Sequence, residues 1–101
     1  MTMTNREALL AVSEAYYGVS FEWRELEYVQ EEMDKLVTMT LEEMSPEMLE
    51  KPAAEEILNL IDGASELQTA VEYYEMAQER LMEAEPGWTP ESLIESIQET
   101  A

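Results

Sequence analysis

The chain has 101 residues, with 24 Asp and Glu against 5 Lys and Arg, so its formal net charge is −19 at pH 7. It contains no His and no Cys, which excludes disulfides, cysteine nucleophiles and the commonest transition-metal ligands. The length suits a single acidic helical domain spanning 1–101, and the charge opposes binding to nucleic acid or to an anionic membrane surface.

Two helices are predicted in the first part of the chain. Thr4 or Asn5 caps a helix that ends before Gly18, and this glycine suits the left-handed conformation that often follows a helix. Ser20 caps a second helix at about 21–44, because apolar residues recur there at steps of three and four.

Proline marks two further helix starts. Ser45 and Thr89 each precede a proline, and a Ser or Thr cap followed by proline at the first helical position is a start signal. The sequence therefore predicts one short turn at 46–50 and a last helix at about 90–99. Period-two alternation is nowhere sustained, so strands are not expected.

The longest periodic segment runs from residue 53 to residue 84. Its seam follows alternate steps of four and three through Ala53, Ile57, Leu60, Ala64, Leu67, Val71, Tyr74, Gln78 and Leu81. Either Asp62 and Gly63 end one helix and Ser65 caps another, or a single helix continues and bends near Gly63. The unbroken seam favours the single helix, since glycine inside a helix costs only about 1 kcal/mol.

These segments predict an all-α fold: a small bundle of three to four helices built on a long antiparallel helical hairpin. The two long helices form the hairpin, and the first and last helices cover its open side. The seam then serves as intramolecular core, although Gln78 on it could instead set the register of a homodimer. Most methionines are expected to fill the core, and the four that could instead line an adaptable binding groove are Met33, Met44, Met76 and Met82.

Most of the net charge lies on the two long helices, in rows away from their apolar residues. Like charges at i,i+4 cost a few tenths of a kcal/mol per pair, so folding alone does not favour these rows. Tyrosines beside these rows offer apolar surface that can be desolvated when a partner binds, which carboxylates lack. The predicted partner-binding residues are Glu27, Tyr28, Glu31, Asp34 and Glu42 on the second helix, and Glu72, Tyr73, Glu75, Glu79 and Glu83 on the long helix.

The density of charge limits this idea. A folded chain of this size exposes about 5,800 Å², or roughly one net charge per 300 Å². Duplex DNA carries roughly one per 110 Å². The whole surface is therefore about threefold too dilute to imitate DNA, and imitation requires the acidic rows to lie side by side on one face.

No pattern of catalytic residues is present. The chain lacks a histidine base, a glycine-rich phosphate loop and a calcium-binding loop, so no enzyme activity, cofactor or metal is expected. Adjacent carboxylates such as Glu31 and Glu32 point to different faces of a helix and cannot chelate one ion together.

In its small size, acidity, helicity and lack of His and Cys, the chain resembles phage-encoded DNA mimics of the anti-restriction and anti-CRISPR kind. The resemblance implies an inhibitor that occupies a basic nucleic-acid-binding surface of a host defence protein, in the host cytosol. It implies no direct binding to nucleic acid or membrane. The alternatives are a helical adaptor or chaperone that binds through its apolar seam, and an acidic face that only promotes solubility.

Overall fold

A computed structural model of the chain describes residues 3–19, 24–72 and 87–100. This part of the chain contains five helices: α1 (Asn5–Tyr17), α2 (Arg24–Glu43), α3 (Pro46–Leu49), α4 (Glu55–Glu72) and α5 (Pro90–Thr100). The described residues form no strand, and their only β-type pairing is an isolated bridge between Thr4 and Pro52. The prediction of a small all-α bundle is confirmed.

Three helix starts follow from local hydrogen bonding. The Thr4 side chain accepts from the backbone N–H of Glu7, and the Glu7 carboxylate accepts in return from the backbone N–H of Thr4. Ser45 accepts from the N–H of Met48 at 3.3 Å, with proline at the first helical position. The Thr89 hydroxyl accepts from the N–H three residues later at 3.1 Å. Thr4, Ser45 and Thr89 are therefore the caps of α1, α3 and α5.

The end of α1 differs from the prediction. Gly18 is right-handed, with φ −75° and ψ −15°, so its predicted left-handed conformation is wrong. Its N–H donates to the Glu14 carbonyl at 2.9 Å, which continues the helical pattern, and the next N–H donates to Tyr16 at 3.2 Å. Because Gly18 is right-handed, the chain continues so that Val19 is buried and only 4% exposed. The burial of this side chain outweighs the usual preference for a left-handed glycine after a helix.

The α4 helix is continuous through Gly63, as the unbroken seam predicts. It begins at Glu55 rather than residue 53, and the predicted continuation over 73–84 lies outside the described residues. The seam residues Ile57, Leu60, Ala64 and Leu67 are all buried in the chain's own core. In this part of the chain the seam is therefore intramolecular packing.

Contacts between helices give α1 a central position. It packs against both α2 and α4. Ser13 pairs with Asp34 and the carbonyl of Tyr16 with Gln30, so α1 and α2 run antiparallel. Direct pairing of the two long helices in a hairpin stays a prediction. The last helix, α5, packs on α2 and α4 through side chains that include Leu93, which is fully buried.

Packing of α1 on α4 is parallel. At their N-terminal ends, the Asn5 side chain accepts from the N–H of Ala54 at 2.8 Å. Near the end of α1, the Tyr16 hydroxyl approaches Gly63 so closely that a Cβ there would lie 3.0 Å from it. Glycine at this point of α4 is therefore explained by the close approach of an aromatic side chain.

A double-mutant cycle tests this account of Gly63. Replacing a helical glycine by alanine ordinarily stabilises by about 1 kcal/mol, but here the new methyl group meets Tyr16. We expect Gly63→Ala to change the free energy of unfolding little in the wild-type chain. In a Tyr16→Phe background we expect it to stabilise by about 1 kcal/mol. Urea denaturation of the four proteins measures the coupling, and equal effects in both backgrounds would contradict the contact.

Several predictions fall outside the described part of the chain. These are the Ser20 cap, the start of the second helix at 21–23, and everything predicted for residues 73–86. The predicted end of the second helix at residue 44 agrees with the end of α2 at Glu43 to within one residue.

Candidate protein-binding face

The side of α2 that faces away from the core carries a row of carboxylates. Glu27, Glu31 and Glu42 are all exposed and lie within about 60° of one another around the helix. The opposite side is buried, through Leu26, Val29, Met33, Leu36, Val37 and Thr40. Apolar burial on one side therefore fixes these three carboxylates on the other, and we call Glu27, Glu31 and Glu42 the α2 acidic row.

Asp34 has a different environment from the rest of the predicted row. It is half-buried, and the Ser13 hydroxyl donates to its Oδ1 at 2.9 Å. This hydrogen bond joins α1 to α2, so the carboxylate of Asp34 contributes to helix packing. Its helical position is next to the row, but its side chain is partly engaged within the bundle.

Two apolar side chains border the α2 acidic row. Tyr28 is 52% exposed and Met39 is 44% exposed. They are separated by eleven residues, about three helical turns, so they lie on the same side of α2. Tyr28 is a predicted partner-binding residue, whereas Met39 was not predicted. Its position three turns from Tyr28 was the available sequence signal.

For Met33 and Met44 the structure supports the core role and not the alternative of a binding groove. Met33 and Met44 are 2% and 3% exposed, so they belong to the core. Met33 lies on the buried side of α2 and Met44 directly follows the end of this helix, and their flexible side chains fill space in the core. Met76 and Met82 lie outside the described residues.

Few cations offset these charges in the described part of the chain. Lys35 lies 3.8 Å from Glu32, and Arg6 lies 3.1 Å from Glu50, in ion pairs between largely exposed side chains. Pairs of this kind contribute little to stability. Neither ion pair includes a residue of the α2 acidic row.

The long predicted helix is described over only part of its acidic side. Glu55, Asp62 and Glu66 are exposed along one side of α4, and Glu72 is exposed at its end. The other predicted binding residues of this helix, Tyr73, Glu75, Glu79 and Glu83, lie outside the described residues.

Glu66 influences a buried tyrosine. Burial, followed by the nearby negative charge of Glu66, raises the pKa of the Tyr16 hydroxyl above its usual value. Both causes disfavour the tyrosinate ion, so the folded chain retains this proton more strongly than the unfolded chain does.

The raised pKa predicts a loss of stability in alkali. The contribution of Tyr16 is complete below the unfolded tyrosine pKa of about 10 and is lost as the pH rises through the higher folded pKa. We expect the free energy of unfolding to fall more steeply above about pH 10 in the wild-type chain than in Tyr16→Phe. Urea denaturation between pH 8 and pH 11 measures this. Tyr17→Phe, which removes an exposed hydroxyl from the next residue, is the matched control.

No three acidic side chains in 3–19, 24–72 and 87–100 are grouped closely enough to hold a metal ion. None of the helices in these ranges combines the length and apolar character needed to cross a membrane.

The described fold and surface define an acidic all-α bundle with a carboxylate row on an outer helix face. Comparison of the chain with protein-family models, with curated proteins and with solved structures finds no match.

Proposed function

We propose that this chain is a small acidic inhibitor that binds a basic, nucleic-acid-binding surface of another protein. It acts by binding and not by catalysis, and it does not itself bind nucleic acid. The observation that carries the proposal is the α2 acidic row, three exposed carboxylates that take part in neither ion pair of the described residues, bordered by the exposed side chain of Tyr28.

The mechanism is competition for lysine and arginine side chains. Carboxylates of the α2 acidic row take positions that phosphates otherwise occupy, and complementary charge speeds the encounter of the two proteins. Tyr28 and Met39 supply apolar area beside the row, because charged residues alone are costly to desolvate at an interface. The inhibitor thereby prevents nucleic acid from reaching the same surface.

The spacing of the row sets the scale of the mimicry. Glu27 and Glu42 are fifteen residues apart, which corresponds to about 22 Å along a helix. One DNA strand presents a phosphate about every 3.4 Å along the duplex axis. Three carboxylates therefore replace fewer than half of the phosphates over this length, and apolar contacts must supply part of the affinity.

The proposal extends to a biological setting. An acidic inhibitor of this kind fits a phage-encoded protein that acts in the host cytosol. Its partner is then a host defence nuclease or the nucleic-acid-guided complex that directs one.

Capture from a bacterial lysate tests the proposal. Immobilised protein is incubated with lysate at low and at moderate salt, with and without added duplex DNA, and bound proteins are identified by mass spectrometry. We expect nucleic-acid-binding proteins at low salt, with loss of capture at moderate salt and on addition of DNA. Recovery of only proteins that do not bind nucleic acid, equally at both salt concentrations, would refute the proposal.

An adaptor that binds through the α4 seam is less well supported. The described seam residues Ile57, Leu60, Ala64 and Leu67 already pack inside this chain. A partner helix could reach them only after the bundle opened, and exposing these side chains is costly.

A further inference from the structure

A shallow apolar groove lies between the end of α1 and the middle of α4. Its cavity volume is about 310 Å³, at the lower end of the range for ligand pockets. The lining includes Ala15, Gly18 and Val19 from the end of α1, and Ile61, Ala64 and Ser65 from α4. This size suits one bulky side chain better than a large organic ligand.

Small residues keep the groove open. The parallel packing of α1 on α4 brings Ala15 and Gly18 opposite Ala64 and Ser65, whose side chains are too short to fill the space between the helices, and the half-buried side chain of Gln68 adds a polar group to the lining. Ile61 is only half-buried, so part of its apolar surface remains available at the edge of the groove.

Exposed acidic residues lie close in sequence to several residues that line the groove. Glu14 is exposed and lies four residues before Gly18, on the same side of the chain. Asp62 and Glu66 are exposed and directly follow Ile61 and Ser65, which line the groove. Neither α4 nor the chain from 7 to 19 contains lysine or arginine. The groove therefore has a mainly apolar lining and an acidic border, by which we mean the exposed residues Glu14, Asp62 and Glu66 beside that lining in sequence.

We infer that this groove binds a bulky aliphatic or aromatic side chain that is carried between lysine or arginine residues on a segment of a partner protein. The apolar side chain enters between α1 and α4, and the flanking cations meet the acidic border. A second copy of this chain is a poor occupant, because it brings the same net charge of −19. The site is separate from the α2 acidic row and does not depend on nucleic-acid mimicry.

Peptide titration followed by NMR tests the inference on the wild-type chain. The probes are a short lysine peptide with one central phenylalanine and the same peptide with alanine in its place. We expect the phenylalanine peptide to bind about fivefold to tenfold more tightly, because only it buries an aromatic side chain. Its largest backbone shifts should fall on Ala15, Gly18, Ile61 and Ser65. Equal affinities, or shifts confined to other surfaces, would overturn the inference.

A pair of variants sharpens the test. Ser65→Trp places a large side chain at the groove, whereas Asn59→Trp places it at an exposed position of the same helix that does not line the groove. We expect Ser65→Trp to abolish the preference for phenylalanine and Asn59→Trp to retain it. A preference retained in folded Ser65→Trp would overturn the inference. If Ser65→Trp fails to fold, the wild-type titration decides.

The same peptides separate this inference from the proposed function. A variant with the α2 acidic row reversed to lysine should still prefer the phenylalanine peptide, because the groove lies between other helices. If lysate capture fails but the preference for the phenylalanine peptide is retained, only the proposed inhibitor function is rejected. If capture succeeds but the peptide preference is absent, only the groove inference is rejected.

Discussion

Reversing the α2 acidic row, by Glu27→Lys, Glu31→Lys and Glu42→Lys together, should weaken binding to the basic partner by at least about 100-fold. Like charges brought together across an interface cost several kcal/mol, and each 1.4 kcal/mol is a tenfold change in affinity. The three side chains are exposed and oppose the buried side of α2, so the bundle should fold normally. Titration of the captured partner, with circular dichroism to verify the helices, measures the effect.

The matched control is the same change of charge on another helix. Glu55→Lys, Asp62→Lys and Glu66→Lys on α4 alter the net charge equally and also at exposed positions. We expect this control to retain most of the affinity and to lose mainly the long-range attraction, which appears as a slower association rate. Equal weakening by the two triple variants would show that total charge, and not the α2 acidic row, determines binding.

Features decided by a few neighbouring residues were predictable from the sequence. Thr4, Ser45 and Thr89 each cap a helix because the hydroxyl reaches an N–H three residues away, which requires nothing from the rest of the fold. Continuity of α4 through Gly63 was predictable for a related reason. One glycine inside a helix destabilises it by less than the burial of the seam residues on both sides of Gly63 stabilises it.

Features decided by other helices were not predictable in the same way. Gly18 stays right-handed because Val19 is buried after it, and periodicity within α1 does not show where the following residue packs. The central position of α1 depends on Asn5, Ser13 and Tyr16, which form hydrogen bonds with Met48 of α3 and with Asp34 and Gln30 of α2. A polar residue gives no sign in the sequence of whether its partner is water or a distant backbone group.

In the candidate binding face, too, some features follow from the local sequence and others depend on contacts with other helices. Helical periodicity alone places Glu27, Glu31 and Glu42 opposite the apolar side of α2, and all three are exposed in the structure. The same periodicity places Asp34 with them, but the Ser13 hydroxyl of α1 donates a hydrogen bond to its carboxylate. The methionines differ only in their position: Met33 and Met44 are in the core and Met39 is on the exposed side of α2. Residue type alone did not separate them.

Asn5 should be among the most sensitive positions in the chain. It is 2% exposed, its Nδ2 donates to the Met48 carbonyl at 2.7 Å, and its Oδ1 accepts from the N–H of Ala54 at 2.8 Å. One side chain thereby joins α1 to the end of α3 and the beginning of α4. Its own backbone N–H also donates to Lys51 at 2.9 Å, so the connection between α3 and α4 is held against the start of α1.

Asn5→Ala should lower the free energy of unfolding by about 2 kcal/mol, because it leaves the half-buried N–H of Ala54 without its partner, a loss of about 1–3 kcal/mol. The Met48 carbonyl loses one hydrogen bond but still accepts from the N–H of Lys51 at 3.1 Å. For a domain of this size, the melting temperature should fall by about 10 °C. Asn5→Asp should not restore stability, because its carboxylate still accepts from Ala54 but brings a negative charge to a position only 2% exposed, with one oxygen facing the Met48 carbonyl oxygen. Thermal and urea denaturation measure both variants.

Asn59→Ala provides the control for Asn5→Ala, since it removes the same side chain from an exposed position in α4. We expect it to leave stability unchanged or slightly higher, because alanine has the greater helix propensity. The comparison isolates buried hydrogen bonding from the loss of an amide as such. Similar melting temperatures for the two alanine variants would mean that the bonds from Asn5 are replaced by water, and that the parallel contact of α1 with α4 is held mainly by apolar packing.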